Sequence, residues 1–129
     1  MHVLWKVGMT AALLSSLVAW AADAGSFTGQ WAGTMTGRNG GKVEVDLVLK
    51  GEAGTWRMSN SSRKGANPCL GRDLPVVVVS RTDTELQFDV NGAQVIKGCI
   101  DNRATLTTDD GKTLKGRLND GRTLEFSRR

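Results

Sequence analysis

Tyrosine is absent from this 129-residue chain, histidine occurs once, and cysteine and proline occur twice each. The single histidine, His2, falls in a segment that reads as a removable export signal, so the mature chain is expected to hold none. That excludes Ser-His-Asp and Cys-His nucleophilic mechanisms, and any zinc site built on imidazole. Carboxylates do not fill the gap. Asp109, Asp110 and Asp120 fall at turn positions, where aspartate serves the backbone, and their spacing is unlike an EF-hand loop. Glu44 and Asp46 share one strand face, whereas a glycosidase pair must face across a cleft. The expectation is a protein that is not an enzyme, with no cofactor and no metal.

The first 21 residues carry Lys6, then an apolar stretch from Val7 to Val18, then Ala19-Trp20-Ala21, an A-x-A cleavage pattern before Ala22. A second site is offered by Ala22-Asp23-Ala24. The apolar stretch of about 12 residues is short of the roughly 20 that a spanning helix needs. A cleaved signal peptide over 1–21 is therefore expected, with no membrane span left afterwards and no cysteine placed for lipid attachment. Cleavage leaves 108 residues at 22–129, one domain, with a formal charge near +3. Cys69 and Cys99, 30 residues apart, suit neither a C-x-x-C redox motif nor zinc-ligand spacing. In an oxidising compartment such a pair forms one disulfide. The localisation expected is periplasmic or secreted, in a bacterial style of signal.

From Phe27 onward period two dominates, and no stretch shows the 3.6-residue repeat of an amphipathic helix. Val43, Val45, Leu47 and Leu49 alternate with Lys42, Glu44, Asp46 and Val48; Leu86, Phe88 and Val90 alternate with Glu85, Gln87 and Asp89. Asn39-Gly40-Gly41, Asn91-Gly92, Asp110-Gly111 and Asp120-Gly121 are hairpin turn signals. Strands are expected near 27–36, 42–50, 54–59, 75–80, 84–91, 94–100, 103–108, 112–118 and 122–127. Eight or so sequential antiparallel strands must hide their edges, and a closed meander barrel does so. The expected fold is an all-β, single antiparallel meander β-barrel, with a β-sandwich as the alternative. Val76-Val77-Val78-Val79 does not alternate, which predicts a strand covered on both faces, by a loop or by another subunit in a homodimer.

One connection stands out. Residues 59–74 form a long loop among short ones, basic through Arg63, Lys64 and Arg72, and tied down by Cys69. Long loops in small domains tend to be functional or disordered. Trp56 and Arg57 lie just before it, so an aromatic and a cation are available at a barrel mouth; Trp56 as plain core is the other reading. Trp31, between Gly29 and Gly33, suits a ring that plugs the closed end. Nucleic acid is not expected, because Phe27, Phe88 and Phe126 all lie on core faces and leave no stacking platform.

The run Phe27-Thr28-Gly29-Gln30-Trp31-Ala32-Gly33 resembles the opening strand of calycin barrels, the lipocalin and avidin group. The resemblance covers these seven residues and implies a binding barrel in which Trp31 closes one end. The small exported size and single disulfide are also similar to small periplasmic inhibitors of metalloproteases. With no tyrosine and no avidin-like polar set, biotin is not implied. The leading expectation is a calycin-like module binding a small or polymeric envelope ligand. The alternative is a protein-interaction or inhibitor module with an envelope or secreted protein as partner. A structural envelope protein dimerising through Val76–Val79 is a third.

Overall fold

The computed structural model describes residues 27–59 and 68–129. The expected signal segment, Arg63 and Lys64 lie outside them. Eight strands follow one another: β1 (Gly29–Thr36), β2 (Lys42–Lys50), β3 (Ala53–Met58), β4 (Asp73–Arg81), β5 (Glu85–Asn91), β6 (Asp101–Thr107), β7 (Thr113–Leu118) and β8 (Thr123–Arg128). Each pairs antiparallel with its neighbours, and β1 pairs with β8, so the sheet closes into an eight-stranded meander barrel. That closure excludes the sandwich.

Alternation sets the inside and the outside. Val45, Leu47 and Leu49 of β2, Leu86, Phe88 and Val90 of β5, and Leu124 and Phe126 of β8 are buried, while Lys42, Glu44 and Asp46 face water. Apolar-in and polar-out is the reverse of a barrel that spans a bilayer. Strands in a closed barrel tilt, so a hydrogen-bonded row climbs as it crosses them. One such row, Arg128–Trp31–Leu47–Trp56–Leu74, runs from β8 through β1, β2 and β3 to β4. It begins at the end where the chain enters β1 and rises to the opposite end. Curvature needs close strand approach at places. A Cβ on Gly33 would run into the Glu125 carbonyl and the Phe126 ring of β8, so β1 and β8 can meet there only around glycine.

Three expectations are corrected. Residues 94–100 are not a strand: Asn91-Gly92 does not make a hairpin but leads into a single 3₁₀ turn, Gly92–Gln94, and an irregular segment to Ile100. The β5–β6 connection is thus a second long one. No described loop of the chain covers the outer face of Val76–Val79, because Val77 and Val79 are 47% and 44% exposed. The strand alternates in position all the same, with Val76 and Val78 turned to the core and Val77 and Val79 outward, so valine occupies both faces. A register shift between Val78 and Ser80 inserts an extra residue against β5. Finally, Val76 and Val77 are already paired to β3 on one side and β5 on the other, so no free strand edge exists there for a homodimer to use.

Candidate functional site

The two ends of the barrel differ. At the end where β1 begins, Trp31 is 1% exposed and its indole N–H donates to the Phe27 carbonyl at 3.0 Å. The Arg128 guanidinium lies 4.2 Å from the centre of the Trp31 ring and donates through Nη1 to the Thr28 carbonyl at 2.8 Å. A cation held flat on an indole while it satisfies main-chain oxygens fills that end with bonded atoms.

At the other end lies a cavity of about 390 Å³. Met35, Met58, Leu74, Val90 and Leu118, from five different strands, form its apolar wall. Trp56 stands between cavity and core: it lines the first and meets Phe88 and Phe126 of the second at ring separations of 6.1 and 6.0 Å. Below it the interior is packed with Leu47, Leu106 and Leu114. The barrel is therefore filled in its lower half and hollow at its mouth.

Two connections form one flank of the mouth. Cys69 and Cys99 are joined in a disulfide, with Cα atoms 5.3 Å apart, linking the β3–β4 loop to the β5–β6 segment. Both cysteines line the cavity, with Pro68 and the exposed Ile100 beside them. Gly92 makes the close packing of that flank possible, since a Cβ there would overlap the Cys99 Sγ.

Its polar side chains come from β6 and the β7–β8 hairpin: Asn102, Asp120 and Arg122. Arg122, the residue before β8, has the parity of Leu124, Phe126 and Arg128, so the inward side of this stretch carries an arginine at each end. Its Nε and Nη2 each lie 2.8 Å from Asp120 Oδ2, a fork that fixes the guanidinium plane. Burial opposes ionisation of Asp120, but the side-chain and backbone N–H groups of Arg122, with the charges of Arg122 and Arg38, hold its carboxyl below the ordinary value.

The residues singled out from sequence are dispersed. Trp56 lines the cavity. Arg57, next along β3, points outward and pairs with Asp73 at 3.2 Å, so it does not join Trp56. Arg72 is exposed and is not part of the lining. Trp31 stands at the opposite end. Sequence reasoning read Asp120 as a turn residue alone and passed over Asn102 and Arg122, although the parity of Arg122 with Leu124 and Phe126 already marks it as inward-facing. A wider recess of about 620 Å³ lies on the outer wall beside Gly116, lined by Gln87, Thr105, Lys115 and Arg117, and faces solvent. Among the described residues no three His, Cys, Asp or Glu side chains gather as a metal site, and no helix is long and apolar enough to cross a membrane.

No protein-family model matches the chain, and no curated protein matches it. Solved structures do. A redesigned β-barrel aligns with a TM-score of 0.54 at 18% identity, covering 82% of this chain and 94% of its own. Another redesigned barrel, mFAP1, bound to DFHBI, aligns with a TM-score of 0.52 at 18% identity, covering 82% of this chain and 97% of its own. At that identity the likeness concerns the fold.

Proposed function

We propose that this chain is an exported, non-enzymatic binding module of calycin-like architecture that takes a small, largely apolar ligand into the barrel mouth. The observation that carries the reading is the cavity of about 390 Å³ above Trp56, lined by apolar side chains from five strands with polar side chains converging at one side. Pockets for small molecules have this size range and this composition. A neighbour of the same fold bound to DFHBI supports the use of such a barrel for a small ligand. The Cys69–Cys99 disulfide suits an oxidising compartment and so supports export. Arg128 locked over Trp31 leaves the mouth as the open end.

The test is titration with the neutral fluorophore N-phenyl-1-naphthylamine, following energy transfer from Trp56. Saturable 1:1 binding is expected, and it should be lost when Val90→Phe or Leu118→Phe fills the cavity while the circular dichroism of the fold is kept. Absence of saturable binding to the folded protein, or binding untouched by both filling variants, would overturn the reading. A protein partner would instead use the rim, where Val95 and Ile100 are exposed. Native mass spectrometry of protein taken gently from its own envelope fraction separates the two, as a bound mass of a few hundred daltons or as a stoichiometric protein.

A further inference from the structure

We infer that the ligand of the mouth is an amphiphilic anion, an apolar or aromatic body carrying one acidic group, and that Arg122 is the residue that receives that group. The inference rests on the binding reading above and adds its chemistry.

Apolar side chains from five strands line the cavity, and its polar side chains are confined to β6 and the β7–β8 hairpin. A ligand entering it would thus meet apolar side chains from five strands and polar side chains gathered at one place. Among the three polar side chains there, Asn102 is neutral and Asp120 is occupied by Arg122. The Arg122 side chain is 24% exposed, half-withdrawn from water, and its Nη1 makes no hydrogen bond among the described residues. Asp120 takes the Nε and Nη2 edge and so presents the remaining edge in a fixed plane. Arg38, from the β1–β2 hairpin, lies over Gly121 and adds a second positive charge near the same carboxylate. Two guanidinium groups against one carboxylate leave the polar corner with one net positive charge.

A planar guanidinium with an unused N–H edge favours carboxylate, sulfonate or phosphate over a neutral acceptor. Removal from water on the cavity side strengthens that preference. An apolar cation would meet a charge of its own sign, and a purely apolar ligand would leave the guanidinium edge desolvated without a partner.

Two probes with one skeleton test this. 1-Anilinonaphthalene-8-sulfonate and N-phenyl-1-naphthylamine differ by the sulfonate alone, and the sulfonate stays ionised across ordinary pH. The neutral probe is the more apolar, so a cavity without an anion site binds it the more tightly. The expected result is binding of the sulfonate at least about tenfold tighter. Arg122→Gln should erase that preference while leaving the neutral probe bound. Arg117→Gln, the same charge change on the outer wall, should preserve it. Asp120→Asn, which keeps the turn acceptor and removes the competing charge, should tighten the sulfonate several-fold and leave the neutral probe unchanged. Equal binding of the two probes, a preference that survives Arg122→Gln, or an Asp120→Asn protein with unchanged sulfonate affinity overturns the anion assignment and leaves the apolar cavity standing. Failure of both probes to bind removes the binding reading itself.

Discussion

Arg122, just before β8, and Arg128, at its end, lie on the same inward side and differ in what they face, and that difference decides their roles. Arg128 meets the Trp31 ring and the carbonyls of Thr28 and Gly111, so its charge is spent inside the fold. Replacing it with alanine removes a cation–π contact and charged hydrogen bonds together and is expected to cost about 2 kcal/mol in urea unfolding. Lysine should restore little, because a point ammonium cannot lie flat on the indole and also bridge two carbonyls. Turn aspartates offer a second prediction at this scale. The backbone N–H groups of Lys112 and Thr113 both donate to Asp110 Oδ1, at 2.8 and 2.9 Å, and they hold its pKa at about 2, from 3.8, against a small opposing effect of burial. A folded-state pKa below the unfolded one gives stability that is present above about pH 4 and lost as pH falls toward 2. A carbon-13 titration should place the Asp110 carboxyl midpoint near 2, and Asp110→Asn should flatten the acid limb of the stability curve.

At the scale of elements, the link between β5 and β6 shows where strand logic stops. Val95, Ile96 and Ile100 are β-branched and follow an Asn-Gly pair, so propensity points to a hairpin and a further strand. Tertiary contacts override it. Gly92 must pass against the Cys99 sulfur, Gly98 adopts φ +93°, and the Asp101 carboxylate accepts the Ala93 N–H at 2.9 Å, all of which bend the chain. Pattern alone could not show this, because the bending depends on a bond to Cys69, 30 residues earlier. The strands with clean alternation were legible, as was the G-x-W opening. Arg122 was legible only by counting parity along β8, since an arginine beside a turn otherwise reads as solvated. The disulfide closes a loop long enough that removing it as Cys69→Ala with Cys99→Ala should cost about 3–4 kcal/mol in the chain-entropy account. Because both connections it joins line the mouth, the same variant should also bind N-phenyl-1-naphthylamine more weakly, measured where the protein is still fully folded. Gly33→Ala acts on a different element: it presses β1 into β8 at the closure and should destabilise by about 1–3 kcal/mol without altering the mouth.

For the molecule as a whole, closure and filling are separate decisions. Closure comes from eight short strands with turns between them, whose edges a meander barrel hides fully, and so it was the leading reading of the sequence, with the sandwich excluded only by the β1–β8 pairing. Filling depends on how far bulky side chains reach across the interior. Trp56 and its neighbours Phe88 and Phe126 plug the middle, while methionine, leucine and valine ring the mouth without meeting across it. Nothing in the alternation distinguishes a residue that meets a partner across the barrel from one that faces a void, so the hollow end was invisible in the sequence. A void walled by rigid strands is filled at little conformational cost, and a ligand there binds only the closed barrel. Linkage then requires the neutral probe, held free at one hundred times its Kd, to raise global stability by about 2.7 kcal/mol. The gain should show as equal added protection of the slowest-exchanging amides in β1 and β5, which lie at the closure and beside the mouth, because both open only when the barrel does. Added protection confined to β5 and the segment after it would mean that the mouth opens on its own, with the disulfide flank as a separately unfolding unit. At the same free probe concentration the gain in the protein lacking Cys69 and Cys99 should be smaller, since part of the binding energy would then be used to order that flank and the Kd rises.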